Sequence, residues 1–179
     1  RSSRTVGQNA TRSSGEDHVA WRNEERKKGW TYWQRYSEYM EARIPWTALD
    51  ALDVATDEVL SQLEDPIREG AWDRRGLVVG HVQSGKTGNY TGLICKAADA
   101  GYKIIIVLAG LHNNLRAQTQ IRLDEGFLGF ATIADADELP AVGVGLIDTD
   151  TSVRPNAATN RSDKGDFNTA LAAKMNISP

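Results

Sequence analysis

The sequence has little cysteine, little net charge and no long apolar run. Cys95 is the one cysteine among 179 residues, so no disulfide can form within the chain, which is typical of a protein in a reducing cytoplasm. The formal net charge of −3 argues against a strongly basic coat for nucleic acid and leaves room for a local basic groove. No run approaches the ~20 apolar residues of a membrane span and no signal peptide is present, so we expect a cytoplasmic location and no membrane partner.

Histidine and cysteine are also scarce. The three histidines, His18, His81 and His112, are scattered, and with one cysteine they give no metal-ligand spacing. The clustered carboxylates that a nuclease centre requires around its metal ions do not stand out either. Cys95 lies in a predicted helix, where packing is the expected role and a nucleophile or metal ligand is the alternative.

The chain begins with a polar stretch that is followed by an aromatic one. Residues 1–20 are rich in serine, arginine and glycine, and we predict a disordered tail or linker there. Residues 21–75 are predicted to form a helical subdomain, with helices at 24–43 and 46–64. The large side chains that recur at helical spacing in this part of the chain are Trp30, Trp33, Tyr36 and Met40. This spacing favours packing within the protein, and stacking on nucleic-acid bases is the alternative. Because the first residue is arginine, we expect a fragment of a longer protein.

The clearest motif runs from Gly80 to Thr87 and matches G-x-x-x-x-G-K-[ST], the phosphate-binding loop. The apolar residues before it predict a strand, and a helix is predicted from Lys86 to a stop at Gly101. Main-chain N–H groups of such a loop form an anion-binding nest at the positive end of the helix. The residues predicted to bind ATP are Gly80, Val82, Gln83, Ser84, Gly85, Lys86 and Thr87.

Two of these residues are assigned catalytic roles. Lys86 is predicted to reach the β- and γ-phosphates, and the Thr87 hydroxyl is predicted to bind Mg²⁺. A Gly-rich turn without a ligand is the alternative interpretation of the motif. A further hypothesis is that the nucleotide base or phosphates contact residues 72–75, just before the strand, and Gln62.

The run Lys103–Leu108 is too apolar for a half-exposed strand and predicts a parallel strand covered on both faces. Strand, loop, helix and strand over about 30 residues make a βαβ unit. The predicted fold class is therefore α/β: a P-loop NTPase of the RecA-like type, with a parallel sheet and flanking helices, preceded by the helical subdomain. Residues 76–179 are predicted to be the N-terminal part of the RecA-like ATPase domain.

A polar helix is predicted after this second strand, at the edge where α/β sheets bind ligands. We expect Asn113 to cap it and Leu115, Ile121 and Leu123 to form its apolar face. Side-chain donors near its start are predicted to contact nucleic-acid phosphates without reading sequence. An ordinary solvated helix face is the alternative. The predicted nucleic-acid-binding residues are Asn113, Asn114, Arg116 and Gln118.

The remaining chain predicts a turn at 125–130, a strand at 141–148, an exposed loop at 149–166 and a final helix at 167–175. An ATPase requires an acid at the end of a strand to hold Mg²⁺ and orient the attacking water. Asp148 is the only acid in such a position, because Asp137-Glu138 lacks a preceding apolar run.

Several segments together resemble a bacterial family of endonuclease-like proteins known by its Z-one domain. The resemblance spans residues 28–170 and is carried by WTYWQRY, by V-Q-S-G-K-T at Val82–Thr87 and by L-H-N-N-L-R-x-Q-T-Q at Leu111–Gln120. The family looks like a divergent branch of superfamily-two helicase ATPases, associated with restriction and anti-phage defence beside GHKL-type ATPases and nucleases. The resemblance implies that Gly80–Thr87 is helicase motif one and that Asn113–Gln120 touches the nucleic-acid backbone.

The chain departs from common helicases in three respects. Gln83 stands where they have glycine, the acid that orients water is not evident, and no second RecA-like lobe with its arginine finger is found. We therefore expect better binding than hydrolysis of nucleotide by this chain alone.

The predicted function is an ATP-binding and ATP-hydrolysing, helicase-like module of a DNA-directed ATPase, with ATP and Mg²⁺ as cofactors. DNA, bound through its backbone, is the expected partner, together with GHKL-type ATPase or nuclease partners of a defence system. One alternative is a nucleotide-gated regulatory module without motor activity. A kinase of small molecules or nucleotides is a second alternative. The argument against it is that no segment of the sequence resembles a lid or an acceptor-binding site.

Overall fold

A computed structural model describes residues 5–6, 9–14, 18–80, 85–109, 112–133, 138–147 and 155–162. The chain forms two compact units, Arg1–Ile105 and Ile106–Pro179. In the described parts, helix dominates both units. The boundary predicted between residues 75 and 76 stays a prediction.

Over its described residues, the first unit combines four helices with a small antiparallel sheet. The strands are β1 (Thr5–Val6), β2 (Asn9–Ser14) and β3 (Arg75–Gly80), in the order β1-β2-β3. Asn9 lies opposite Gly80 and Ser14 opposite Arg75. The helices are α1 (Glu24–Lys27), α2 (Thr31–Glu41), α3 (Trp46–Gln62) and α4 (Lys86–Ala100).

The predicted α/β fold class, with a RecA-like parallel sheet, is wrong. The strand before the motif, β3, pairs antiparallel with β2, and within the described ranges no two strands run parallel. The run Lys103–Leu108 forms neither helix nor strand, and the exposed fractions of Ile104, Ile106 and Leu108 are 80%, 77% and 94%. Apolar β-branched composition fits a strand locally, but strand pairing depends on a partner distant in sequence, which composition does not specify.

The polar N-terminal stretch contributes two of the three strands that the structure describes in this sheet. Residues 9–14 were expected to lie in a tail or linker because they have few apolar side chains. They form β2 instead, since a strand ladder is held by main-chain N–H and C=O groups that every residue type other than proline supplies.

The helical core of the first unit lies where α2, α3 and α4 meet. Helix α3 matches the predicted helix at 46–64, whereas the helix predicted at 24–43 is two helices, because Gly29 adopts φ +82° between them. The three N–H groups at the start of α2 donate to the Asp99 carboxylate of α4 at 2.8–3.1 Å, a cap supplied from another helix. The hydrophobic core cluster of this unit includes Trp21, Trp30, Leu60 and Ala97.

The second unit is built around α5 (Asn113–Leu123), which continues into a π-helical turn, Asp124–Leu128. A bridge joins Phe130 to Ala141, and a 3₁₀ helix follows at Gly143–Leu146. The strand predicted at 141–148 is therefore wrong over its described residues. Two glycines explain this: Gly143 adopts φ +54°, and a Cβ on Gly145 would lie 1.9 Å from the carbonyl oxygen of Gly129. The helix predicted at 167–175 lies outside the described residues.

Candidate functional site

The described part of the phosphate-binding motif is a strand end and a helix start. Gly80 closes β3, and α4 begins at Lys86 after Gly85, which adopts the left-handed conformation at φ 71°, ψ 25°. A residue with a Cβ adopts this conformation at a cost, so glycine suits the position. The strand and helix predicted on either side of the motif are confirmed. Val82, Gln83 and Ser84 lie outside the described residues.

The first turn of α4 offers its main-chain donors to an anion. Gly85 is the N-cap, and it has no side chain with which to satisfy the N–H groups of the first turn. Lys86 and Thr87 are both exposed at this turn. The arrangement places an ammonium and a hydroxyl beside the positive end of a 15-residue helix, which is a favourable environment for a phosphate.

Helix α2 contacts this end of α4. The Tyr36 hydroxyl donates to the carbonyl oxygen of Gly88 at 3.2 Å, one residue after Thr87. One turn further, Gly92 packs so closely that an added Cβ would lie 3.1 Å from the Trp33 ring and 3.3 Å from the Thr56 methyl group. Burial raises the pKa of Tyr36, so its hydroxyl keeps its proton and remains a donor. The predicted aromatic stripe is therefore largely a packing surface, as its spacing indicated.

A buried ion cluster ties α3 to the middle of α4. Lys96 is fully buried, and its ammonium donates to the Asp53 main-chain oxygen at 2.8 Å, to the Asp53 carboxylate and to the Asp57 carboxylate at 2.7 Å. It also lies 4.1 Å from the centre of the Trp33 ring. Lys27 contacts the other Asp57 oxygen, which Arg22 approaches at 3.2 Å.

Asp57 is ionised in this cluster. Burial alone would raise its pKa, but the hydrogen bonds and charges of Lys27 and Lys96 outweigh that effect and lower the pKa below its ordinary value. The sequence signal that was missed is a lysine on the buried part of α4 opposite two aspartates four residues apart on α3. A charge on such a face requires a partner.

Cys95 and the residues just before β3 are engaged in the fold. The Cys95 thiol is fully buried, and burial raises its pKa, which disfavours the thiolate that a nucleophile requires. Trp72 contacts the Tyr102 ring edge-on, with centroids 6.2 Å apart, and Arg74 donates to the Gln62 main-chain oxygen at 2.8 Å. Arg75 pairs with Asp73 at 2.7 Å. The proposed nucleotide contacts of this segment stay predictions.

The predicted nucleic-acid-binding residues lie on α5. Asn113, Asn114 and Gln118 are exposed, and Arg116 is half-buried, with its guanidinium donating to the Ser162 main-chain oxygen at 3.1 Å. The cap is His112 instead of Asn113, which is already helical. The predicted apolar face is wrong at Leu115, which is 49% exposed.

A buried polar network lies at the inner side of α5. Gln120 is the buried residue of this helix, and it donates to the fully buried Asp124 carboxylate at 2.9 Å. Asp124 also accepts from the Thr132 main-chain nitrogen at 2.8 Å, from the Thr132 hydroxyl at 3.0 Å and from Arg161 Nε at 2.7 Å. No feature of the sequence around Arg161 indicated this pairing, because the partners are 37 residues apart.

The acid that would orient the attacking water is not brought to a strand end by the described residues. Asp148 and Asp137 lie outside them, and Glu138 is exposed in an irregular segment. Within the described ranges, no group of three or more histidine, cysteine, aspartate or glutamate side chains is placed to hold a metal ion. In the same part of the chain, no helix combines the length and apolar character needed to cross a bilayer.

Comparison with known proteins identifies no relative of this chain. No family model, no curated protein and no solved structure matches it. The resemblance to the Z-one domain family therefore stays a prediction from the segments quoted above.

Proposed function

We propose that this chain binds ATP with Mg²⁺ and serves as the ATP-hydrolysing, helicase-like module of a DNA-directed ATPase in the cytoplasm. The observation that carries the proposal is the start of α4: a strand leads through the motif to a left-handed Gly85, and the following turn exposes Lys86 and Thr87. Restriction or anti-phage defence, with GHKL-type ATPase or nuclease partners, is the setting that the family resemblance supports.

The local chemistry supports binding of phosphate groups. The ammonium of Lys86 and the uncapped N–H groups of the α4 first turn both attract negative charge. The Thr87 hydroxyl is the group of this turn suited to Mg²⁺. Asn113, Asn114, Arg116 and Gln118 on α5 supply donors for the DNA backbone.

The test is ATP binding and turnover by the full chain with Mg²⁺, in the absence of nucleic acid and with single- or double-stranded DNA. Lys86→Ala is expected to weaken ATP binding by at least about tenfold, because a charge-assisted contact with phosphate is lost. Lys103→Ala removes the same charge from another exposed position of the first unit and serves as the matched control. Equal ATP affinity of the two variants would contradict the assignment of Lys86.

A nucleotide-gated regulatory module without motor activity is the second candidate. The antiparallel pairing of β3 and the 3₁₀ helix at Gly143–Leu146, in place of a strand that ends in an acid, favour it. ATP binding without turnover, or turnover indifferent to DNA, is the expected result for this candidate. Stimulation of turnover by DNA supports the motor.

A further inference from the structure

Helix α2 runs antiparallel to α4 and leads past the start of that helix. The main-chain nitrogen of Thr31, the first residue of α2, donates to the Asp99 carboxylate near the end of α4 at 2.9 Å. Tyr36, further along α2, donates to the carbonyl oxygen of Gly88 near the start of α4 at 3.2 Å. The residues that follow Tyr36 therefore lead towards the phosphate-binding end of α4 and beyond it.

Arg43 follows Tyr36 by about two helical turns, so it shares the face of α2 that contacts α4. Helix α2 ends at Glu41, but the turn continues, because the Arg43 main-chain nitrogen donates to the Met40 oxygen at 2.8 Å. The rise from Tyr36 to Arg43 is about 10 Å, whereas α4 extends about 3 Å from Gly88 back to its first residue. Arg43 is therefore placed about 7 Å beyond the start of α4, at the end whose uncapped N–H groups attract an anion.

The Arg43 guanidinium is held against an aromatic ring. Its Cζ lies 3.5 Å from the centre of the Tyr39 ring, and Nη1 donates to the Tyr39 main-chain oxygen at 2.7 Å. The Tyr39 ring is in turn stacked with the Tyr36 ring, with centroids 6.5 Å apart. The arginine side chain is thus ordered in the absence of a ligand, so less conformational freedom is lost when it binds one.

The positive charge of Arg43 has no acidic partner within the part of the chain that the structure describes. Arg43 is exposed, and its side-chain contacts there are those with Tyr39. Of the acidic residues of α2, Glu38 accepts from Gln34. Nε and Nη2 form the other edge of the guanidinium and have no acceptor among the described residues. Such a two-donor edge fits two oxygens of one phosphate.

We propose that Arg43 is a second cation of the phosphate site, which binds the phosphate chain of ATP together with Lys86, and that Tyr39 positions its guanidinium. The inference rests on the proposed ATP binding and adds to it a residue of another helix, far from the motif in sequence. Two cations supplied by separate elements suit a polyphosphate, because its negative charges are spread over several oxygens.

Calorimetric titration of the full chain with ATP and Mg²⁺ tests the contact. Arg43→Gln is expected to weaken ATP binding about tenfold, and Arg43→Lys, which keeps the charge but lacks the planar fork, is expected to bind with intermediate affinity. Lys28→Gln is the matched control, because the Lys28 side chain is 72% exposed and precedes the opposite end of α2. It is expected to leave ATP affinity within about twofold.

The positioning role of Tyr39 has its own measurement. Tyr39→Leu removes the ring beneath the guanidinium and is expected to weaken ATP binding about threefold. In the Arg43→Gln background the same change is expected to have no further effect, because the ring acts through the arginine. An equal loss in both backgrounds contradicts the positioning role. The urea midpoint of Arg43→Gln is expected to be unchanged, since the residue is exposed.

The results distinguish this inference from the proposed function. ATP binding that is weakened by Lys86→Ala and unaffected by Arg43→Gln overturns the phosphate contact of Arg43 and leaves the proposed function in place. An absence of ATP binding by the unsubstituted chain removes both. Equal losses in Arg43→Gln and Lys28→Gln also overturn the inference, because they reflect the overall charge of the chain instead of a contact.

Discussion

Replacement of Lys96 by methionine tests the buried ion cluster most directly. Methionine is close to the lysine stem in shape, so the change removes the ammonium while most of the packing remains. The lost interactions are the bonds to Asp53 and Asp57 and the contact with the Trp33 ring. The desolvation cost of a fully buried ammonium is removed at the same time.

The expected cost follows from what each partner retains. Deletion of one member of a buried ion pair typically costs about 3–5 kcal/mol, because the other charge is left uncompensated. Asp57 keeps Lys27 and Arg22, and Asp53 has a side chain that is 38% exposed and turns to water. We therefore expect a loss at the lower end, about 3 kcal/mol, which lowers Tm by roughly 12–24 °C for a unit of this size.

Urea unfolding followed by tryptophan fluorescence measures this loss, because all five tryptophans lie before residue 73 and three of them surround the core. Lys27→Met is the matched control: it removes a partly exposed cation from the same Asp57 carboxylate and is expected to cost about 1 kcal/mol. A Lys96→Met protein as stable as the unsubstituted chain, or no less stable than Lys27→Met, would refute the reasoning.

Three further predictions follow from the described contacts. The pKa of Asp57 is lowered from its ordinary value of 3.8, so the carboxylate stabilises the fold fully above pH 3.8 and this stabilisation is lost as pH falls through the folded-state pKa. The urea concentration at the unfolding midpoint is therefore expected to decrease below about pH 4. Asp57→Asn is expected to make this decrease smaller. Asp99→Ala removes the acceptor of three N–H groups at the start of α2, so a loss of about 1–2 kcal/mol is expected in the same assay, and an unchanged midpoint would contradict the cap. Gly145→Ala places a Cβ 1.9 Å from the Gly129 oxygen and is expected to lower the free energy of unfolding of the second unit by about 3 kcal/mol or more. The second unit has no tryptophan. Circular dichroism is therefore expected to show a transition at lower urea concentration, and tryptophan fluorescence is not.

Local signals predicted the elements of this chain better than its pairings. Helix α4 was found because its start, its length and its stop at Gly101 are all encoded within a few residues of each end. The prediction of a strand at Lys103–Leu108 was wrong because a strand forms only through hydrogen bonds to a partner strand. The N-terminal partner of β3 was missed for the same reason, since β2 has the composition of a linker.

The charged positions show a similar division. Lys86 and Thr87 were identified from a contiguous motif, whereas Arg161 and Asp124 contact each other across 37 residues without any motif. The sequence showed Lys96 on a helix with an apolar face. Its burial, however, depends on ion pairs with two aspartates of α3, which the sequence of α4 does not contain. A charge that interrupts an otherwise apolar face is thus a sign of a partner elsewhere in the chain.

The apolar and largely exposed run from Ile104 to Leu108 affects the tendency of the chain to aggregate at high concentration. Four of its five residues are β-branched, and no charge occurs between Lys103 and His112. Short windows of this composition, when accessible to solvent, are those that stack into intermolecular cross-β assemblies, and natural sequences commonly interrupt them with charged gatekeepers. We therefore expect the four exposed residues of this run, Ile104, Ile106, Val107 and Leu108, to limit the colloidal stability of the purified chain, independently of how stable the helical core is.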